Sequence, residues 1–148
     1  MRTAIAAALL LACAGEARSS AGVSCQADDA SVKFSLEGAW GRSAGSGPGN
    51  FGGEVAIKLK PVPDYARKLT IETRHLTQHW YHDRDLKLAV QWLRDGDEPS
   101  AEVLLLIETR RGKAEQSAYP GRYKLTISAP NSDGKPRQAS GRVTCSAD

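Results

Sequence analysis

Leu86-Lys87-Leu88-Ala89-Val90-Gln91-Trp92 decides the fold class. Leu86, Leu88, Val90 and Trp92 share one parity, and Lys87, Ala89 and Gln91 take the other. On a helix these side chains would spread around the axis; on a strand the apolar set lines one face and the remainder meets water. The same period of two recurs on both sides of this stretch. Upstream, Val32, Phe34 and Leu36 alternate with Lys33, Ser35 and Glu37, and Val55, Ile57 and Leu59 with Glu54, Ala56, Lys58 and Lys60. Leu69 and Ile71 stand between Lys68, Thr70 and Glu72. Downstream, Tyr123, Leu125 and Ile127 are spaced by Lys124, Thr126 and Ser128, and Val143 and Cys145 close the series. A sheet with one buried and one wetted face requires this pattern.

One run departs from it. Val103 to Ile107 is apolar at every position, which suits a strand covered on both faces, by a loop in the simplest reading or by an oligomer contact in the other. Turn signals separate the strands. Gly41 to Gly53 holds six glycines with Pro48 and Asn50 and reads as a mobile loop. Pro61-Val62-Pro63-Asp64, Asp95-Gly96-Asp97 and Asn131-Ser132-Asp133-Gly134 are further breaks. Short strands at this spacing indicate an antiparallel sandwich or a small barrel. Gly121-Arg122-Tyr123-Lys124-Leu125-Thr126-Ile127 resembles the Gly-x-Tyr-x-Leu-x-Ile strand of immunoglobulin-like domains. The expected fold is an all-β antiparallel β-sandwich, immunoglobulin-like or related, of seven or eight strands.

The first residues read as a targeting segment. Arg2 supplies a positive charge, Ala4 to Ala12 carry none, and small residues place cleavage after Ala14, Ala17 or Ala21. The apolar run is far short of the roughly 20 residues of a spanning helix. The expected organisation is a signal peptide over 1–21 and one domain over 22–148, hence a periplasmic or secreted protein, bacterial by its Ala-rich leader. Leu10-Leu11-Ala12-Cys13 resembles the lipobox of bacterial lipoproteins, which implies the alternative of a membrane-anchored lipoprotein acylated at Cys13. Beyond Cys13 only Cys25 and Cys145 remain. An even pair in an exported chain reads as a disulfide between the first and last strands. Both lie on the core parity, with Val23 and Val143, so their Cα atoms are expected within about 7 Å.

Composition limits what such a domain does. Twenty Lys and Arg against 17 Asp and Glu, a net charge of +3, is too balanced for a dedicated nucleic-acid binder. At 148 residues the chain is also too short for a (β/α)8 barrel, which needs about 250. Gly41-Arg42-Ser43-Ala44-Gly45 matches a nucleophile elbow, but a glycine- and proline-rich stretch follows where the elbow needs a helix. No carboxylate pair, Ser/His/Asp order or Cys/His pair stands out, so no enzyme is expected.

The histidines form the sharpest constellation. His75, His79 and His82 fall within eight residues, with Asp83 and Asp85 adjacent. On a helical turn the three would share a face and could ligate Zn or Cu together with Asp83; on a strand His82 would point away from the other two. Between the strands ending at Ile71 and starting at Leu86, a short helix or loop is expected. Trp80 and Tyr81 in the same stretch could stack on a sugar or anchor a protein partner, or close one end of the core. Arg110, Arg111 and Lys113, flanked by Glu108 and Glu115, read as a solvated basic loop. The leading expectation is a non-catalytic binding or structural module with a protein or glycan ligand and no cofactor. A metal-binding protein built on the histidines is the alternative, and a carbohydrate-binding module the third.

Overall fold

The computed structural model describes residues 22–40, 48–94, 96, 99–113, 117–130 and 134–147. The leader, its cleavage frames, the lipobox Cys13 and Ser43 lie outside the described residues. Nine antiparallel strands form among the described ones: β1 Gly22–Asp28, β2 Val32–Trp40, β3 Pro48–Ile57, β4 Lys68–Ile71, β5 Leu76–His82, β6 Asp85–Arg94, β7 Ala101–Arg110, β8 Ala118–Ser128 and β9 Arg137–Ala147. They make one sheet in the order β4-β3-β2-β1-β9-β8-β7-β6-β5. The all-β antiparallel class is as expected, but the ladder is continuous, so one nine-stranded sheet stands where a sandwich of seven or eight strands in all was expected.

Connectivity forces that sheet to curl. Its two edges, β4 and β5, are consecutive in the chain and joined only by residues 72–75. Eight interstrand spacings of about 4.8 Å would put the edges of a flat sheet about 38 Å apart. The connection from Ile71 to Leu76 reaches at most about 18 Å. The sheet therefore rolls into a curled half-barrel, with its inward faces sharing one core that draws on every strand from Val23 on β1 to Ala147 on β9. Phe34 on β2 meets Tyr123 on β8 edge-to-face, ring centres 5.7 Å apart, although β1 and β9 lie between those strands in the ladder.

The alternation read from the sequence sorts the faces. Leu86, Leu88 and Val90 point inward, as do Val103, Leu105 and Ile107, and Tyr123, Leu125 and Ile127. The continuous run on β7 obeys the same rule, and no loop of the described residues covers its outer side: Leu106 points outward and is 36% exposed in the single chain. Two expected loops are strands. The second half of the glycine-rich stretch, Pro48–Gly53, opens β3, where Gly53 has φ +148° and a Cβ would collide with the Ser35 carbonyl. The histidine-bearing segment Leu76–His82 is β5, paired with β6 through a two-residue turn whose Asp83 has φ +55°. Edge position explains why its pattern was silent, since six of its seven residues are exposed and no buried face imposes alternation.

A polar tie locks the turn between β1 and β2 to the far side of the core. The Tyr123 hydroxyl donates to Asp29 Oδ2 at 2.6 Å, while the Ser31 and Val32 amides donate to Oδ1 at 2.8 and 3.1 Å. Burial works against ionisation of Asp29, but these donors outweigh it and hold the carboxyl below the usual carboxylate range. The tyrosine ring lies over Gly141, its partner on β9, where a Cβ would strike both the ring and the Asp29 carboxylate.

The first and last strands, β1 and β9, meet in the middle of the sheet. Cys25 and Cys145 are directly opposed in the β1–β9 ladder, Cα atoms 4.0 Å apart, and form the expected disulfide. It closes a segment of 120 residues. In the chain-entropy treatment such a loop destabilises the unfolded state by about 4–5 kcal/mol. The double variant C25S/C145S should therefore lose about that much unfolding free energy in urea titration; a loss below about 1 kcal/mol would remove the disulfide from the account of stability.

Candidate functional site

Register aligns outward side chains into rows that cross several strands. Trp80 on β5 opposes Lys87 on β6, Lys87 opposes Glu108 on β7, Glu108 opposes Arg122 on β8, and Arg122 opposes Arg142 on β9. The neighbouring row runs Gln78, Ala89, Leu106, Lys124 and Ser140. Opposed residues in an antiparallel ladder share a face, so all ten belong to one outer surface. Trp80 is 56% exposed there. It stands beside short Ala89 and exposed Leu106, at an open groove of about 670 Å³ also lined by Gln78, Lys87 and Glu108. Lys87 Nζ and Glu108 Oε1 are 4.0 Å apart across its floor. The His82 ring lies beside the indole, tilted to it, with centres 5.9 Å apart.

Tyr81 does not join this surface. Adjacent residues on a strand point to opposite faces, and the Tyr81 hydroxyl turns to that of buried Tyr119 at 3.2 Å. That hydrogen bond, helped by burial, raises the Tyr81 pKa. Arg111 completes the cluster. Its Nε donates to the Tyr119 hydroxyl at 3.0 Å and its Nη2 to the Asp83 carbonyl at 3.2 Å, while Arg84 Nη2 donates to the Arg111 carbonyl at 2.9 Å. Of the basic trio expected in a solvated loop, Arg111 thus clamps the β5–β6 turn, Arg110 pairs with Asp85 at 3.5 Å, and Lys113 is exposed.

The histidines are spread by the strand geometry. His79 and His82 take opposite parities on β5, His79 on that of inward Leu88 and His82 on that of Trp80. His75 closes the 3-10 turn Thr73–His75 and is buried. Its Nδ1 accepts the Glu72 amide at 2.9 Å, and the Thr73 hydroxyl donates to the Phe51 carbonyl on β3 at 3.1 Å. Asp83 serves as the turn residue of the β5–β6 hairpin. Among the described residues no three His, Cys, Asp or Glu side chains gather where they could hold an ion.

Sequence reasoning singled out Trp80 but missed Leu106, Lys124, Arg122 and Arg142 as its companions. Their parity was legible. That they share rows with Trp80 follows only from pairing between strands distant in sequence.

Two measurements follow. Burial depresses the His75 pKa, the neighbouring Arg74 adds to this, and Glu72 opposes it. The unfolded chain then binds the proton more readily than the folded one. Stability from this group is full above about pH 6.5 and falls as pH drops through that value toward the depressed folded one. Urea midpoints should decline from pH 7.5 to 5, and the decline should be smaller in His75→Asn; an equal slope in the variant would assign it elsewhere. Calorimetric titration with Zn(II) and Cu(II) at neutral pH should give no binding heat that His79→Ala abolishes, because His79 and His82 face apart; a heat lost in that variant would restore the histidine site. Comparison with known proteins returned no matching family model, no matching curated protein and no matching solved structure.

Proposed function

We propose that the chain is an exported, non-catalytic binding module whose ligand is a glycan lying across the outer face of β5–β7. The observation that carries this reading is Trp80: a large indole, more than half exposed, with the His82 ring beside it, at a groove that combines Ala89 and Leu106 with amide, ammonium and carboxylate groups. A sugar ring offers an apolar C–H face and a rim of hydroxyls. The indole matches the first, and Gln78, Lys87 and Glu108 match the second. The Cys25–Cys145 disulfide supports an oxidising destination, in keeping with the leader.

Calorimetry against a panel of soluble oligosaccharides tests the reading. Trp80→Ala should weaken binding by roughly tenfold or more, as the loss of an aromatic anchor does. Its urea midpoint should stay near that of the parent, because an exposed side chain contributes little to folding. Glycan binding indifferent to this substitution, or no binding anywhere in the panel, would overturn the proposal.

A further inference from the structure

We infer that Arg122, Lys124 and Arg142 hold the acidic groups of the ligand, so that the glycan is a carboxylated or sulfated polysaccharide. This rests on the outer face being a glycan platform, and adds the charge of what it binds.

The first argument is the cost of the arrangement. Arg122 and Arg142 are directly opposed in the β8–β9 ladder, both exposed on the outer face, and Lys124 lies one row away on the same face. Like charges placed directly opposite one another destabilise a sheet. Several cations of the outer surface have a carboxylate within reach: Lys87 has Glu108 at 4.0 Å, Arg110 has Asp85 at 3.5 Å, and Lys33 and Lys58 share Asp28 at 3.4 and 2.6 Å, whereas exposed Lys68 on β4 has none among the described residues. Among the described residues no carboxylate lies within 4.0 Å of Arg122, Lys124 or Arg142, and Glu108, opposite Arg122, reaches Lys87 instead. Three cations on adjacent strands with no carboxylate at ion-pair distance form a complementary surface for an anion from outside.

The second argument is continuity. Arg122 and Arg142 extend the row that begins at Trp80, and at about 4.8 Å per strand the row is about 19 Å long. A ligand crossing the strands would stack on the indole at one end and meet two guanidinium forks at the other. Those forks suit carboxylate and sulfate oxygens, which they bind in pairs. The surroundings are hydroxyl- and amide-bearing: Thr126, Gln138, Ser140 and Thr144 occupy the outward positions around the cations. Sugar hydroxyls find partners in such a setting. A lipid surface would instead need a broad apolar area beside the charge, and Leu106 is the only exposed large aliphatic residue bordering the cations among the described residues.

The test measures binding of the purified protein to polygalacturonate, dextran sulfate and neutral dextran, with phosphatidylglycerol vesicles as a fourth arm. Either charged polymer should bind at least tenfold more tightly than dextran at low salt and weaken as salt rises; which of the two binds better identifies carboxylate or sulfate as the partner. R122Q/R142Q should cut that affinity roughly tenfold or more through lost charge-assisted hydrogen bonds. Its melting temperature should be equal or higher, since the variant removes a repelling pair, and this verifies that it folds. Dextran binding as tight as that of the charged polymers, abolished by W80A and untouched by R122Q/R142Q, would overturn the acidic subsite and leave the platform standing. Binding to none of the three polymers, or to the vesicles alone, would overturn both.

Discussion

Four residues, Glu72 to His75, join the two edges of a nine-stranded sheet, and the rest of the structure follows from how short that connection is. A flat sheet cannot satisfy it, so the strands roll until β4 and β5 come near each other. Rolling gives the inward faces one another to pack against and makes a second layer unnecessary. The connection is anchored to match. Thr73 bonds back to β3, and His75 is buried with its ring nitrogen turned to the Glu72 amide.

The first and last strands solve the complementary problem. A meander from β1 to β9 would leave its first and last strands as exposed edges. Here those strands pair with each other at the middle of the ladder, and the Cys25–Cys145 bond is covalent within that pairing. The edges move to β4 and β5 instead. β4 is only four residues long and begins with Lys68, a guarded edge. β5 is longer, and it carries the indole that the outer face presents.

Because one face of the sheet is consumed by the core, the outer face is where chemistry can be displayed. The inward polar ties, Tyr123 to Asp29 over Gly141 and Arg111 to Tyr119, serve packing, since each closes on itself within the protein. The outward rows differ in kind. They mix an aromatic, a matched ion pair and an unmatched cation cluster in one register. A sheet selected for stability alone would place a carboxylate opposite Arg142. Arg122 stands there instead, and the two like charges cost the sheet stability.

Period-two alternation identified β2, β6 and β8 and the inward set on each, because parity is a local property of a strand and needs no partner. The disulfide was legible for a related reason: Cys25 and Cys145 share the core parity of the first and last strands, so both side chains point into the same interior. β5 was not legible. Its residues are exposed on both faces, so what makes it a strand is hydrogen bonding to β6, which leaves no periodicity in the sequence. Separation of His79 from His82, and of Trp80 from Tyr81, followed once that segment was a strand. Curling into one sheet, and the row from Trp80 to Arg142, belong to the tertiary structure alone. Parity states which way a side chain points, whereas register between strands tens of residues apart states which side chains it meets, and only packing of the whole core sets that register.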